Sequence, residues 1–171
     1  MDVEIRKAVK EDAEAVCSVM HQSIMELCLA DHKGDQQVIG HWLQHKTVNE
    51  IQKWLLAPHA EAFVAVDKAE VVGIGMVTPT GHILLCYVAP RVLHRGVGKK
   101  LLETMMLFAI GQGTDKIYLE STETAKSFYQ RNGFEISGDP ILCDGVVSYP
   151  MEKKLHIALQ SGSKFTRCHK R

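Results

Sequence analysis

The chain has no long hydrophobic stretch. Its longest apolar run is Ile83 to Ala89, which suits a buried strand and falls far short of the roughly 20 residues a bilayer span needs. The start, Met1-Asp-Val-Glu-Ile5, shows no basic segment followed by an apolar one, so no secretory leader is expected. Cysteine is sparse: Cys17, Cys28, Cys86, Cys143 and Cys168 are odd in number, widely spaced and without a Cys-x-x-Cys pair. That argues against a disulfide framework or a cysteine zinc site and points to reduced thiols in the cytoplasm. The nine histidines form no metal-ligand pattern. His41 and His45 are one helical turn apart, but Trp42 and Gln44 between them supply none of the acid chemistry of a zinc-protease helix, and a solvated helix face is the reading adopted. Excess charge of either sign is also missing, with 20 Lys+Arg against 20 Asp+Glu. A dedicated nucleic-acid binder usually carries a basic surplus.

What is present is ordinary for one globular domain. Apolar residues are 46% and charged residues 23% of the 171, enough to bury well over half of the unfolded surface in a single core. Charge is unevenly spread. Residues 152–171 hold six basic groups (Lys153, Lys154, Lys164, Arg167, Lys170, Arg171) against Glu152, a net +5, and the remainder is −5. A domain over 1–154 followed by a basic tail over 155–171 is the expected division. The tail reads as solvated, with nucleic-acid contact as the sharper alternative.

Hydrophobic periodicity places the elements. Val3 to Ala8 alternates as a strand, and Glu11 to about Ala30 repeats at helical spacing, with Glu11, Asp12 and Glu14 suiting the positive end of its dipole. A second helix is expected over Asp35 to His45. A third begins at the capping box Thr47-Val-Asn-Glu50 and stops before Pro58. Strands Ala62–Val66, Val71–Val77 and His82–Val88 predict an antiparallel meander. A helix over 96–112, a strand over Lys116–Glu120, a short helix over Thr124–Asn132 closed by Gly133, and late strands at Phe134–Ser137 and Val146–Lys154 complete the order. The fold class is α/β (α+β): a mixed, mostly antiparallel sheet with helices on its faces.

Two stretches carry chemistry. In Leu85-Cys-Tyr-Val-Ala-Pro-Arg-Val-Leu-His-Arg-Gly-Val-Gly-Lys-Lys-Leu-Leu102 a buried strand gives way to a glycine loop and then a helix. Such a junction leaves backbone N–H groups unpaired at a helix N-terminus, a ready anion site. Alone it reads equally as a plain strand-to-helix turn. It lacks the third glycine of a dinucleotide fingerprint, and Lys100 stands where a Walker loop needs Ser or Thr. In the second stretch, Ala125-Lys-Ser-Phe-Tyr-Gln-Arg-Asn-Gly-Phe134, Ala125, Phe128 and Tyr129 share one helix face. Tyr129 reads either as a core aromatic or as a hydroxyl aimed into a cleft.

Taken together and in this order, the stretches resemble the two signature motifs of the GNAT superfamily of acetyl-CoA-dependent N-acetyltransferases. Leu93-His-Arg-Gly-Val-Gly98 is similar to the (Gln/Arg)-x-x-Gly-x-(Gly/Ala) pyrophosphate loop. Ala125, Phe128, Tyr129, Gly133 and Phe134 complete the Ala-x-x-Phe-Tyr-x-x-x-Gly-Phe pattern. The resemblance covers about 3–154 and is most specific over 72–136. The sequence departs from the pattern at Leu93, where the family prefers Gln or Arg, and at Thr122, where many relatives carry Asn. Arg91, Arg95 and Lys99 are near enough to supply the charge that Leu93 lacks.

The resemblance implies a GNAT-like fold whose central strands splay apart. It implies acetyl-CoA as co-substrate, with its pyrophosphate over His94, Arg95, Gly96, Val97, Gly98 and Lys99, and its pantetheine along Tyr87 and Val88 and near Thr122. It implies Tyr129 as general acid toward the leaving thiolate, and a backbone N–H near Tyr87 or Val88 for the oxyanion. Glu120 is the first candidate base and His82, on the opposite strand, the second. His21, Ser23, Glu26 and His32 are expected to line the acceptor pocket, with His82 beside them. The acceptor is a small-molecule or peptide amine, the former slightly favoured, and no metal is called for. A non-catalytic CoA-binding module is the alternative that Leu93 allows. Many relatives dimerise through late strands, which makes Val146 to Met151 a candidate homodimer interface.

Overall fold

The computed structural model describes residues 2–156; the tail expected over 155–171 thus lies almost wholly outside the described residues. Leu155 is still packed, buried and bonded through its amide to the Asp115 carbonyl (2.7 Å).

The chain runs β1 (Val3–Lys7), α1 (Ala13–Leu27), α2 (Leu29–His32), α3 (Gln36–Leu43), α4 (Val48–Leu55), β2 (Glu61–Asp67), β3 (Glu70–Val77), β4 (Ile83–Val88), α5 (Val97–Gly111), β5 (Lys116–Thr122), α6 (Glu123–Arg131), β6 (Glu135–Ile136), β7 (Ile141–Cys143) and β8 (Val146–Lys154). The strands form two four-stranded groups. One has the order β1-β2-β3-β4; the other has the order β5-β8-β6, with β7 also pairing β8. Each of these ladders is antiparallel.

Period-two alternation divides the first sheet between two cores. Ala62, Val64, Ile74 and Met76 face α1 and α4, meeting Val16, Met20 and Ile51. Phe63, Ala65 and Val72 face the other way, onto Leu101, Leu102 and Met105 of α5. Leu101, Leu102 and Met105 are fully buried, and each such side chain contributes roughly 1.5–3 kcal/mol of transfer free energy. Ile117, Leu119, Phe134 and Met151 of the second sheet region extend the same α5-side core.

Two expectations need correction. The single helix over 11–30 is broken: α1 ends at Leu27, Cys28 leaves helical geometry (φ −96°, ψ 30°), and α2 follows as a separate turn. Asp12 stands just before α1 and its side chain bonds none of the helix amides; its carboxylate is gripped by Arg6 through two bonds of 2.8 Å and by the Val9 amide. The candidate interface Val146 to Met151 lies on β8, which pairs with β5 over 148–154, with β7 over 146–148 and with β6 at 151–152. The Thr47 cap forms, with Oγ1 accepting from the Glu50 amide (3.3 Å), while the Glu50 side chain turns to Lys53.

Candidate active site

β4 and β5 run side by side but join only at one end. There His82 and Tyr118 form an isolated parallel bridge, the Tyr118 amide donates to the Gly81 carbonyl (2.9 Å), and the His82 and Tyr118 rings stack at 4.7 Å. Gly81 permits this vertex: its φ is +86°, and a Cβ there would run into the Lys116 carbonyl oxygen. Beyond it the strands diverge around a cleft of about 660 Å³.

One mouth of the cleft is the start of α5. Gly96 occupies the N-cap at φ +81°, with no side chain to cap the helix. The first helical bond runs from the Lys100 amide to the Gly96 carbonyl (3.0 Å), so the amides of Val97, Gly98 and Lys99 have no partner within the helix. His94, Gly96, Val97, Gly98 and Lys99 all line the cleft. Arg95 does not. Of the cations offered in place of a Gln or Arg at Leu93, Arg91 is bound to Glu70 (2.6 Å) and Lys99 stands 3.8 Å from Glu103. The sequence reading missed Arg131 of α6, which lines the cleft. A basic residue in a last helical turn reads as an ordinary dipole partner and gave no further signal.

β4 forms one wall. The Ala89 amide bonds to the Val72 carbonyl (2.8 Å), and Tyr87 lies opposite Ile74 in the same register. In an antiparallel ladder, alternate residues direct both backbone groups to one neighbour. Residues 85, 87 and 89 therefore face β3, and the amides of Cys86 and Val88 face the cleft. Of Tyr87 and Val88, only Val88 therefore turns its amide toward the cleft. Tyr87 lines the cleft as well; its hydroxyl faces the Trp42 indole, and burial pushes its pKa up to about 12.

α6 carries the Tyr129 hydroxyl into the centre. Thr122 caps the helix, Oγ1 accepting from the Ala125 amide (3.2 Å). Gly133 ends it, and the Phe134 amide returns to the Tyr129 carbonyl (3.0 Å). Tyr129 is buried between Phe128 and Phe134, both edge-on at 5.1 and 5.4 Å. Its hydroxyl sits against the Cys86 thiol; burial first, then that thiol, holds its pKa well above the usual phenol value. Burial likewise pushes the Cys86 thiol up to about 11 and the Cys28 thiol up to about 12.

The two candidate bases are one unit. His82 Nε2 and Glu120 Oε2 are 2.9 Å apart, with side chains 28% and 47% exposed, so the pair has a route to solvent. Glu120 lines the cleft and His82 sits behind it at the vertex. On the acceptor side, Ser23 lines the cleft together with Leu27 and Cys28. The other three candidates do not reach it. His21 donates from Nε2 to the Lys46 carbonyl (2.7 Å), facing the α3–α4 loop. Glu26 is exposed. His32 is buried, with Nδ1 accepting from the Gly34 amide and Nε2 donating to the Ile24 carbonyl, both at 3.0 Å. Among the described residues, no three His, Cys, Asp or Glu side chains gather as a metal site, and no helix is long and apolar enough to cross a membrane.

This arrangement has counterparts. The family model described as "Acetyltransferase (GNAT) domain" matches residues 10–155. The chain therefore belongs to the GNAT acetyltransferase family and is an acyltransferase of that type. A GCN5-related N-acetyltransferase from Rhodopseudomonas palustris superimposes with a TM-score of 0.81 at 20% identity, covering 91% of this chain and 97% of that one. The PaiA N-acetyltransferase from Thermoplasma acidophilum, solved in complex with coenzyme A, gives 0.76 at 22% identity, covering 90% and 99%. A GNAT-family acetyltransferase from Streptococcus pneumoniae gives 0.66 at 20%, covering 91% and 100%. At these identities the likeness establishes the fold. Among curated proteins none matches the chain.

Proposed function

We propose that the cleft transfers the acetyl group of acetyl-CoA directly to a primary amine. The observation that carries this reading is the splay of β4 from β5, with unpartnered helix amides at one end and the Tyr129 hydroxyl inside. The residues suit acetyl-CoA as substrate. The amides of 97–99, with Lys99 and Arg131, favour the pyrophosphate, and the open edge of β4 accepts an extended amide-containing arm in strand fashion. The Val88 N–H is placed to meet negative charge developing on the acetyl oxygen, a type of contact worth ~3 kcal/mol.

Proton handling follows from the environments. The Tyr129 phenol stays protonated at neutral pH because burial opposes its ionisation, so it is available to protonate the departing thiolate. The Glu120–His82 pair accepts the proton lost from the attacking amine and passes it toward solvent. Direct transfer is favoured over a cysteine-bound intermediate. A thiol with a pKa near 11, as for Cys86, is ionised in only ~10⁻⁴ of molecules at pH 7. The acceptor wall of Ser23, Leu27 and Cys28 is small and largely apolar, which suits a small-molecule amine over a peptide.

The test is release of free thiol from acetyl-CoA with a panel comprising an amino acid, a polyamine, an aminoglycoside and a lysine peptide. Turnover with one or more members supports the reading. Calorimetric CoA binding without turnover on any member indicates the non-catalytic module instead, and absence of CoA binding overturns both.

A further inference from the structure

We infer that Asp31 is a positioning residue for this reaction: its carboxylate pins the N-terminus of α6 to the α1–α2 segment and so fixes Tyr129 relative to the acceptor wall. The inference rests on the acetyltransferase reading above.

Helix α6 has nine residues and starts as soon as β5 ends. Thr122, its local cap, satisfies only the Ala125 amide. The two preceding amides turn to a residue more than ninety positions earlier in the chain. The Asp31 carboxylate accepts from the Glu123 amide at 2.7 Å and from the Thr124 amide at 3.4 Å. It also accepts the Thr124 hydroxyl. A carboxylate at this end of a helix opposes the positive pole of its dipole, and the effect grows when water is excluded. Asp31 is 8% exposed.

Asp31 is itself held still. The neighbouring His32 ring bridges the Ile24 carbonyl and the Gly34 amide, tying α2 back onto α1. The Lys33 amide closes α2 on the Leu29 carbonyl at 2.9 Å. The same segment supplies Ser23, Leu27 and Cys28 to the cleft. One carboxylate therefore connects the acceptor wall to the helix bearing the proposed acid. Tyr129 lies six residues beyond Glu123, ~9 Å along the helix axis. The far end of the helix is fixed by Phe134 and Gly133, so loss of the Asp31 bonds leaves the near end held only by the Thr122 cap and its connection to β5. A displacement of ~1 Å at a reacting group costs on the order of 10²-fold in rate.

The experiment compares wild type, D31A, D31N, Y129F and D31A/Y129F with acetyl-CoA and whichever amine of the panel gives the fastest thiol release. D31A is expected to lose ~10–100-fold in kcat, with KM for acetyl-CoA within about threefold, because the phosphate-facing amides belong to α5 and Arg131 sits at the far end of α6, away from Asp31. D31N keeps one acceptor oxygen and is expected to fall between wild type and D31A. It also serves if D31A does not fold. Because Asp31 acts through Tyr129, D31A added to Y129F should lower kcat less than threefold further. Hydrogen exchange at the 123–125 amides should quicken ~10-fold in D31A while β3 stays protected. An active wild type with D31A within twofold of it, or losses that multiply in the double variant, overturns the inference. A wild type that releases no thiol with the panel overturns the acetyltransferase reading instead, and the two failures are told apart by that control.

Discussion

Tyr129 is the residue at which structure and mechanism can be separated. Its ring fills space between Phe128 and Phe134, while its hydroxyl sits against the Cys86 thiol. Tyr129→Phe keeps the ring, so stability should change by less than about 1.5 kcal/mol. Turnover should fall ~10²–10⁴-fold if the hydroxyl is the acid, with CoA affinity retained. Since burial holds the phenol well above its usual pKa, wild-type turnover should show no decline from Tyr129 ionisation up to about pH 10. Full activity in the Phe variant would leave water as the proton donor. A second residue-scale prediction concerns acid stability. Arg6 bonding, the largest influence, lowers the Asp12 pKa below its unfolded value of about 3.9. The stabilisation is complete above that unfolded value and is lost as pH falls through the lower folded one. Asp12→Asn should cost about 1–2 kcal/mol at pH 7, tempered by the partial exposure of Arg6. Between pH 5 and 2 the variant should give a flatter urea-midpoint profile than wild type. Parallel profiles would show that Asp12 does not drive acid unfolding.

At the scale of elements, what could be read beforehand was whatever local physics specifies. The β2–β3–β4 meander, the glycine entry to α5 and the Gly133 stop of α6 all follow from alternation, positive φ and capping within a few residues. β7 was missed because Ile141, Leu142 and Cys143 are all exposed and show no buried face. Asp144-Gly145, both at positive φ, was the hairpin signal that could have located it. The break between α1 and α2 had no comparable marker: Cys28 carries no turn chemistry, and α2 exists to present Asp31 to a helix far along the chain. The Gly81 vertex is the element-level feature open to mutation. Gly81→Ala forces a methyl toward the Lys116 carbonyl and to 2.9 Å from Thr114 Cγ2, at a φ of +86°. It should cost about 2–4 kcal/mol in urea unfolding. Gly40→Ala, within α3 and with nothing within 4 Å of the added methyl, should instead stabilise by about 0.5–1 kcal/mol. Equal stability of Gly81→Ala and wild type would mean that the vertex relaxes freely.

At the scale of the whole molecule, the proposed catalytic parts come from both sheets and no single segment holds them. The phosphate-facing amides sit on α5 and the backbone donor on β4, against the first sheet; Glu120 and Tyr129 sit on β5 and α6, with the second. Composition and periodicity could not place these groups together, and the paired motifs did so only through their resemblance to a family. Among the described strands, the two sheets meet at the His82–Tyr118 bridge alone and diverge beyond it. A ligand lying along β4 and under α6 therefore bridges the two halves. Anything that binds the native state alone stabilises it by mass action, ~2.7 kcal/mol at a concentration 100 times Kd. For a chain of this size that corresponds to a rise in Tm of about 5–10 °C. Where the protection falls is more informative than its size. CoA threaded through the cleft should slow hydrogen exchange at the cleft-facing amides of Cys86 and Val88, at residues 97–99, and along α6. Adenosine 3′,5′-bisphosphate, which lacks the pantetheine arm, should protect little of β4. Protection by CoA confined to residues 97–99 would show that the phosphates dock at α5 while the arm stays outside the splayed strands. In that case neither Val88 nor Tyr129 could reach the acetyl group.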